Sequence, residues 1–444
     1  RVFDVIKMET HHMFLADIVA VDVDEELLDA DGRLLCTRTV PGGAAVAGQP
    51  WERKQDASGI ECTALSLLDG LLQEFPDIGC VGLTGQMHGI VYVDAAGQLL
   101  SPLYTWQDET GAQPGPDGKS TAARLTARTG YPLASGYGLV TLACHQAAGA
   151  IPDGTAAVCT IADYLAMRLS GRSTPRLTPS MAASLGLFDG TDFDRKAVRR
   201  AGLPEQLLPE VSEEAELGGG RLRVFAALGD NQASFLGAGQ GRLDAPLVNI
   251  GTGSQFSFFT KEHRTVPGLE TRPFPGGWLL TGAPLCGGRS FALLERFFRQ
   301  TAELVTGTPC PSAYPAMLRA LEAPMPDDVP QFRTTFAGTR QDPAERAVLS
   351  GLDEENFAPV PLLHALLRGM ADELSARYRA ALKAGCAPAG RLLGSGNGLR
   401  RNPALQRAVA RSFGLPLTLA AVPEEAACGA ALFARMGMQE LSDL

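Results

Sequence analysis

A strand–helix alternation that occurs twice, once on each side of a Gly-rich turn at 237–246, most constrains the fold of this chain. In the first half, "GIECTALSLLDGLLQEF" (59–75) carries apolar residues at helical spacing and precedes "IGCVGLTG" (78–85), which has the pattern of a buried strand. In the second half, "LVNIGTGSQFSFF" (247–259) indicates strands, and a long helical pattern follows at 361–385. Strands alternating with helices in both halves predict two α/β domains.

The length of the chain supports the same division. At 444 residues it exceeds what one hydrophobic core usually serves, so two domains are expected. We place the boundary in the Gly-rich turn, which gives an N-terminal domain over 1–240 and a C-terminal domain over 241–444.

Charge and cysteine usage exclude several classes of partner. The formal net charge of −10 argues against nucleic acid or an anionic membrane as the main partner. The nine cysteines contain no C-x-x-C pair and no zinc spacing, which favours reduced thiols and a cytoplasmic location. No apolar run reaches the roughly 18 residues of a membrane span. A homodimer remains open.

Four Gly-rich turns stand where a strand pattern ends. They are "GLTGQMHG" (82–89), "LGDNQ" (228–232), "NIGTGSQ" (249–255) and "LLGSGNG" (392–398). Glycine permits positive φ and lets backbone N–H groups approach a ligand closely. Four such turns in a two-domain chain favour a nucleotide cleft, although none matches the P-loop pattern or the dinucleotide-binding pattern.

Asp230 is open to two interpretations on its own stretch, "VFAALGDNQASFLGAG" (224–239). It directly precedes a small-residue helix pattern, and aspartate is a preferred helix N-cap. It can also be a general base, since a carboxylate within hydrogen-bond reach can take a proton from a hydroxyl group.

Two motifs of the first half offer substrate chemistry. "GQMHG" supplies Gln86 and His88 around Met87, and "TWQDE" supplies Trp106 and Asp108. An aromatic face with amide and carboxylate groups suits a polyhydroxylated ligand. His88 and Trp106 can also be ordinary core residues, and the residues alone leave that choice open.

Longer stretches resemble the FGGY carbohydrate kinases. They are "GLTGQMHGIVYVDAAGQLLSPLYTWQDE" (82–109), "ALGDNQASFLGAG" (227–239), "NIGTGSQ" (249–255) and "LLGSGNGLRRNPALQRAVARSFGLPL" (392–417). The resemblance implies two ribonuclease-H-like (actin-like ATPase) α/β domains around a central cleft, with sugar on the first and ATP on the second. "GQMHG" resembles the ketose kinases of the family. The implied activity is ATP-dependent phosphorylation of a ketose, first sedoheptulose, with xylulose or another pentulose as the alternative.

The resemblance also assigns residues to roles. Asp230 matches the catalytic base. The expected sugar contacts are Gln86, Met87, His88, Trp106, Asp108, Asp230, Asn231 and Gln232. The expected ATP contacts are Gly251, Thr252, Gly253, Gly287, Gly288, Gly394, Ser395, Gly396, Asn397 and Asn402. Mg²⁺ is expected with ATP; its protein ligands are unknown, and Asp22 and Asp4 are the candidates.

One region departs from the family pattern. Members begin with a D-x-G-T-[ST] strand followed by a strand that carries a lysine, whereas this chain reads "DIVAVDVDEELLDADGRLL" (17–35). The Gly-Thr-Thr turn and the basic residue are missing, and acidic side chains would repel phosphate. A catalytically impaired sugar- or nucleotide-binding homologue is therefore an alternative. An actin-like or chaperone ATPase is less favoured, because "GQMHG" and "TWQD" imply a sugar.

Overall fold

The computed structural model describes residues 19–20, 38, 40, 43–76, 78–220, 222–284, 287–338, 344–422 and 424–442. Asp4 and Asp22, the candidate metal ligands, lie outside these residues. The chain divides into two compact units. The first takes in the chain up to Gly241, Pro273–Pro275 and the segment from Val422, and the second comprises Arg242–Arg272 and Gly276–Ala421.

Helices and strands alternate in both units, as the sequence predicts. In chain order the helices are α1 (Ala57–Glu74), α2 (Thr121–Thr129), α3 (Gly138–Ala148), α4 (Ile161–Leu169), α5 (Pro179–Leu185), α6 (Arg195–Ala201), α7 (Asp230–Ala238), α8 (Gly288–Thr306), α9 (Tyr314–Ala320), α10 (Pro359–Lys383), α11 (Asn397–Arg400), α12 (Pro403–Phe413) and α13 (Glu425–Ser442). The strands are β1 (Val19–Ala20), β2 (Ala45–Val46), β3 (Lys54–Gln55), β4 (Cys80–Gly82), β5 (Thr84–Gly85), β6 (Val91–Asp94), β7 (Leu103–Tyr104), β8 (Thr155–Cys159), β9 (Arg176–Leu177), β10 (Glu210–Val211), β11 (Glu216–Gly218), β12 (Arg223–Phe225), β13 (Leu228–Gly229), β14 (Leu247–Ile250), β15 (Ser254–Thr260), β16 (Glu270–Phe274), β17 (Gly277–Gly282), β18 (Gln331–Arg333), β19 (Val348–Ser350), β20 (Leu392–Ser395) and β21 (Leu417–Leu419).

Local sequence signals explain where several elements begin. Helix α1 forms where predicted because Ile60, Ala64 and Leu68 recur at four-residue spacing and are buried in the core. Helix α2 starts at Thr121 because the Ser120 side chain caps it by accepting from the N–H of Ala123. A single 3-10 turn, Glu205–Leu207, follows Pro204.

Parallel strand pairs organise the core of the first unit. Strand β4 runs parallel to β12, with Val81 opposite Val224, and β5 runs parallel to β13, with Gly85 opposite Gly229. Parallel neighbours end at the same edge of a sheet. The segments that leave Gly85 and Gly229 therefore emerge side by side.

The C-terminal helix α13 packs on α7 at very short range. A Cβ atom added to Gly237 would lie 1.8 Å from the carbonyl oxygen of Glu425, and one added to Gly429 would lie 1.8 Å from that of Ala233. Only glycine permits this approach of two backbones. The segment from Val422 consequently belongs to the first compact unit, although the sequence assigned it to a domain over 241–444.

A six-stranded sheet forms the centre of the second unit, in the order β16-β17-β15-β14-β20-β21. Strand β14 is antiparallel to β15 and parallel to β20. Helices α10 and α12 cover the sheet, and their Leu366, Leu374 and Val409 are fully buried in the same hydrophobic cluster as Phe256 of β15. None of the helices in the described part of the chain has the length and hydropathy needed to cross a bilayer.

Helix α4 begins on a capping arrangement that buries a carboxyl group. Thr160 accepts from the N–H of Asp163 at 3.2 Å and donates its hydroxyl to Asp163 Oδ2 at 2.6 Å. Asp163 is fully buried, and its Oδ1 has no hydrogen-bond partner within the described residues. Burial raises the pKa of the Asp163 carboxyl from 3.8 to about 7.

Asp163→Asn is expected to stabilise the protein more at pH 8 than at pH 5. Because the folded-state pKa of Asp163 is raised, its contribution to stability is complete below the unfolded pKa and is lost as pH rises through about 7. Asparagine keeps the acceptor for Thr160 and does not ionise. The gain in unfolding free energy should grow by about 2–3 kcal/mol between the two pH values. Urea titrations of both proteins test this, and a pH-independent difference would contradict it.

Candidate functional site

The Gln86–His88 turn and Asp230 lie at one edge of the first unit. The turn directly follows β5 and Asp230 directly follows β13, and Gly85 is opposite Gly229 in the parallel ladder. Neighbouring strands are about 4.8 Å apart. Two motifs that are more than a hundred residues apart in the sequence are thus adjacent in space.

Asp230 is the first residue of α7, and the N-cap is Gly229. The N-cap interpretation of Asp230 is therefore wrong. Asp230 Oδ1 accepts from the N–H of Asn231 at 2.6 Å, and the Gly229 N–H donates to Ser180 Oγ at 3.3 Å. The positive end of the helix dipole favours the ionised form of a carboxylate in the first turn. Asp230 is chemically suited to accept a proton.

His88 is held in an unusual conformation. Its φ of 73° lies in the left-handed region, which non-glycine residues rarely adopt. The backbone N–H donates to Ser184 Oγ at 3.1 Å, and ring Nδ1–H donates to the Ser184 carbonyl at 2.6 Å. The ring stacks on Tyr137 with centroids 4.7 Å apart. With Nδ1 as donor, Nε2 is the acceptor nitrogen in the neutral form of the ring.

Ser184 and Tyr137 were not among the predicted site residues. Ser184 lies on α5, and Tyr137 directly precedes α3. No sequence motif links either residue to "GQMHG". Their role follows only from the contacts with His88.

Met87 and Gln232 fill the space beside the Asp230 helix start. A Cβ atom on Gly229 would lie 2.8 Å from Met87 Sδ and 2.6 Å from Gln232 Oε1. Gln232 is fully buried, and its Nε2 donates to the Pro273 carbonyl at 3.0 Å. Gln232 therefore packs beneath the first turn of α7 and is held there by its bond to Pro273. Asn231, at 8% exposure, is also buried.

The "TWQDE" loop presents Trp106 while Asp108 is buried beneath it. Trp106 is 41% exposed, which excludes the ordinary core alternative for this residue. Asp108 is 1% exposed, and its carboxylate accepts from the N–H groups of Arg53 at 3.0 Å and Thr110 at 2.9 Å. Asp108 thus fixes the loop that carries the aromatic side chain.

Glycine turns of the second unit meet at the ends of β14 and β20. The Gly288 N–H donates to the Gly251 carbonyl at 2.9 Å, and the Arg289 N–H donates to that of Thr252 at 3.0 Å. A Cβ atom on Gly287 would lie 2.2 Å from the Gly253 carbonyl oxygen. Thr252 and Gly253 remain exposed where α8 begins. Exposed amides and a helix N-terminus suit a phosphate group.

The "GSGNG" turn joins the same edge. Gly396 has a φ of 87°, and a Cβ atom there would lie 2.5 Å from the Ile250 carbonyl oxygen. Asn397 is exposed at the start of α11, whereas Ser395 is buried. Asn402 caps α12 by accepting from the Leu405 N–H at 3.0 Å. Gly394 packs against the side chains of α11 and β21.

A metal site is not formed by protein side chains in the described part of the chain. These residues contain no group of three or more His, Cys, Asp or Glu side chains arranged to hold an ion. Mg²⁺ bound to a nucleotide needs only one or two carboxylates besides the phosphates, so ATP can still bring its metal.

Known proteins are similar to this chain in sequence and in fold. The family models for the N-terminal and C-terminal domains of the FGGY family of carbohydrate kinases match residues 26–240 and 247–438. Sedoheptulokinase of Mus musculus is 28% identical, with 88% of each chain covered. Xylulose kinase of Streptomyces rubiginosus is 25% identical over 59% of each chain. The crystal structure of xylulose kinase from Rhodospirillum rubrum has a TM-score of 0.74 at 22% identity and covers 89% of this chain and 84% of its own.

The two family models together span most of the chain, and the solved sugar kinase has the same fold. The predicted two-domain α/β fold is confirmed, as is the resemblance on which the predicted site residues depend. The chain is a sugar kinase that belongs to the FGGY family of carbohydrate kinases.

Proposed function

We propose that this kinase phosphorylates a ketose with ATP, and that the ketose is sedoheptulose, giving sedoheptulose 7-phosphate. The register of β5 and β13 carries the proposal, because it sets the Gln86–His88 turn beside Asp230. The choice of sugar is supported by the mouse sedoheptulokinase, which aligns over 88% of this chain, against 59% for the Streptomyces rubiginosus xylulose kinase.

Asp230 is the general base in this proposal. A carboxylate oxygen accepts the proton of the sugar hydroxyl as the hydroxyl oxygen bonds to the γ-phosphorus of ATP and the bond to the ADP oxygen breaks. The products are the sugar phosphate, ADP and a protonated Asp230, which then loses its proton to solvent. His88 Nε2, the Gln86 amide, Asn231 and the exposed face of Trp106 hold the sugar.

The first unit binds the sugar and the second binds ATP. The phosphates lie against the turn at Gly251, Thr252 and Gly253, at the amides of Thr252 and Gly253, and against the start of α8 at Gly287 and Gly288. Gly396 and Asn397 contact the nucleoside. Mg²⁺ bound with ATP would neutralise charge on the phosphates, and the turn at Gly251–Gly253 would orient them.

An ADP-release assay with Mg-ATP and sedoheptulose, xylulose, ribulose or glycerol tests the proposal. We expect the highest kcat/KM with sedoheptulose. A higher value with xylulose would support the pentulose kinase instead. Thermal stabilisation by ketose or ADP without ADP release would support a catalytically impaired homologue. That alternative is suggested by the missing Gly-Thr-Thr turn at 17–35.

Gly288→Ala is expected to weaken ATP binding at least tenfold and to leave ketose binding unchanged. A Cβ atom at this position would lie 2.4 Å from the Gly251 carbonyl oxygen, so the turn at 251–253 must move. Gly390→Ala in the same unit is the matched control, because no atom lies within 4 Å of the added Cβ. Calorimetric titration with ATP measures the effect. Parent-like ATP affinity in Gly288→Ala would contradict the proposal that the turn at 251–253 binds the phosphates of ATP.

A further inference from the structure

The segment that ends in β3 connects the two sugar-side motifs. The Trp51 and Arg53 carbonyls accept from the N–H groups of Glu109 and Thr105, both at 2.9 Å, in the "TWQDE" loop. Two residues further on, Gln55 Oε1 accepts from Gln86 Nε2 at 3.1 Å, in the "GQMHG" motif. This segment is therefore hydrogen-bonded to both motifs. Gln55 is the residue that contacts Gln86, at the sheet edge where Asp230 also lies.

The contact with Gln86 fixes the orientation of the Gln55 amide. With Oε1 directed to Gln86, the Nε2 group of Gln55 lies on the other side of the carboxamide. Gln55 is half-buried, and among the described residues no acceptor contacts its Nε2. An amide NH₂ group has two donors, and in this half-buried position they are available to a ligand oxygen.

We propose that Gln55 contacts the sugar, donating from Nε2 to a hydroxyl or carbonyl oxygen of the ketose away from the reacting hydroxyl. This inference rests on the proposed function. Gln86 and Asp230 are neighbours, because they directly follow the paired residues Gly85 and Gly229. Gln55 is hydrogen-bonded to Gln86 and therefore lies near the proposed base. It is a specificity-determining residue that the motifs did not indicate.

The charges around Gln55 favour a neutral sugar over a sugar acid. Lys54 pairs with Glu52 at 3.2 Å, and the Arg53 guanidinium donates to the carbonyls of Pro50 and Glu52 at 2.7 and 2.8 Å. Both neighbouring cations are thus engaged by their own segment. The group that remains for a ligand is a neutral amide, which recognises hydroxyl and carbonyl oxygens.

Gln55→Glu and Gln55→Met separate sugar contact from mere support of Gln86. Glutamate keeps an acceptor for Gln86 but has no donor, whereas methionine has a similar length and neither group. If Gln55 donates to the sugar, Gln55→Met should weaken sedoheptulose binding about three- to tenfold, and Gln55→Glu should weaken it by at least as much. Dissociation constants for sedoheptulose, measured by calorimetry without ATP, test this, with ADP affinity as the control.

Parent-like sedoheptulose affinity in Gln55→Glu together with weakened binding in Gln55→Met would overturn the assignment, since Gln55 would then act only through Gln86. Parent-like affinity in both variants would also overturn it. Because binding is measured without turnover, a parent that binds sedoheptulose but releases no ADP refutes the proposed kinase activity while the Gln55 comparison still stands. A parent that binds none of the ketoses refutes both.

Discussion

Asp230→Asn is expected to lower kcat for ketose phosphorylation by roughly 10²–10⁴-fold, the range for loss of a general base. The amide cannot take the hydroxyl proton at neutral pH. Its oxygen can still accept from the N–H of Asn231, as Asp230 Oδ1 does at 2.6 Å, so the start of α7 should be preserved. The dissociation constant for sedoheptulose should therefore change little.

ADP-release assays give kcat, and calorimetry gives the dissociation constant for sedoheptulose, for both the parent and the variant. Asp117→Asn serves as the matched control, because Asp117 lies in the same unit and makes an exposed ion pair with Arg124. An Asp230→Asn protein that turns over at the parent rate would show that the base lies elsewhere. Loss of sugar binding in step with kcat would instead make Asp230 a binding residue.

Gly429→Ala is expected to lower the unfolding free energy by about 1–3 kcal/mol or more, the usual cost of overpacking. The added methyl would lie 1.8 Å from the Ala233 carbonyl oxygen, so α13 and α7 must separate. Asp230 is the first residue of α7, and a shift of this helix moves its carboxylate. Because misplacement by about 1 Å can cost 10²-fold in rate, kcat should fall in the folded variant.

Urea denaturation gives the stability change, and kcat is measured well below the denaturation midpoint. Gly220→Ala is the control in the same unit, because no atom lies within 4 Å of its added Cβ, and a change within about 0.5 kcal/mol is expected. Equal stability of Gly429→Ala and the parent would contradict the close packing of the two helices. Normal kcat in a destabilised variant would separate the packing from the position of Asp230.

The amino-acid sequence by itself determined the local elements and the chemical groups. Helical spacing in 59–75 and the strand pattern at 78–85 depend on neighbours a few residues away, so α1 and β4 form where predicted. The same is true of the glycine turns, which the sequence marks directly. The contiguous motifs that contain Met87, His88 and Asp230 also identified the family without any knowledge of the contacts between them.

The tertiary structure alone decided which of these groups meet. The pairing of Gly85 with Gly229, the bond of Gln86 to Gln55 and that of His88 to Ser184 join segments 31 to over a hundred residues apart, for which local spacing carries no signal. The same holds for α13, whose Gly429 packs on α7 in the first unit. Asp163 shows the reason: its T-x-x-D signal describes only a helix start, while burial, set by the rest of the fold, raises the pKa of its carboxyl.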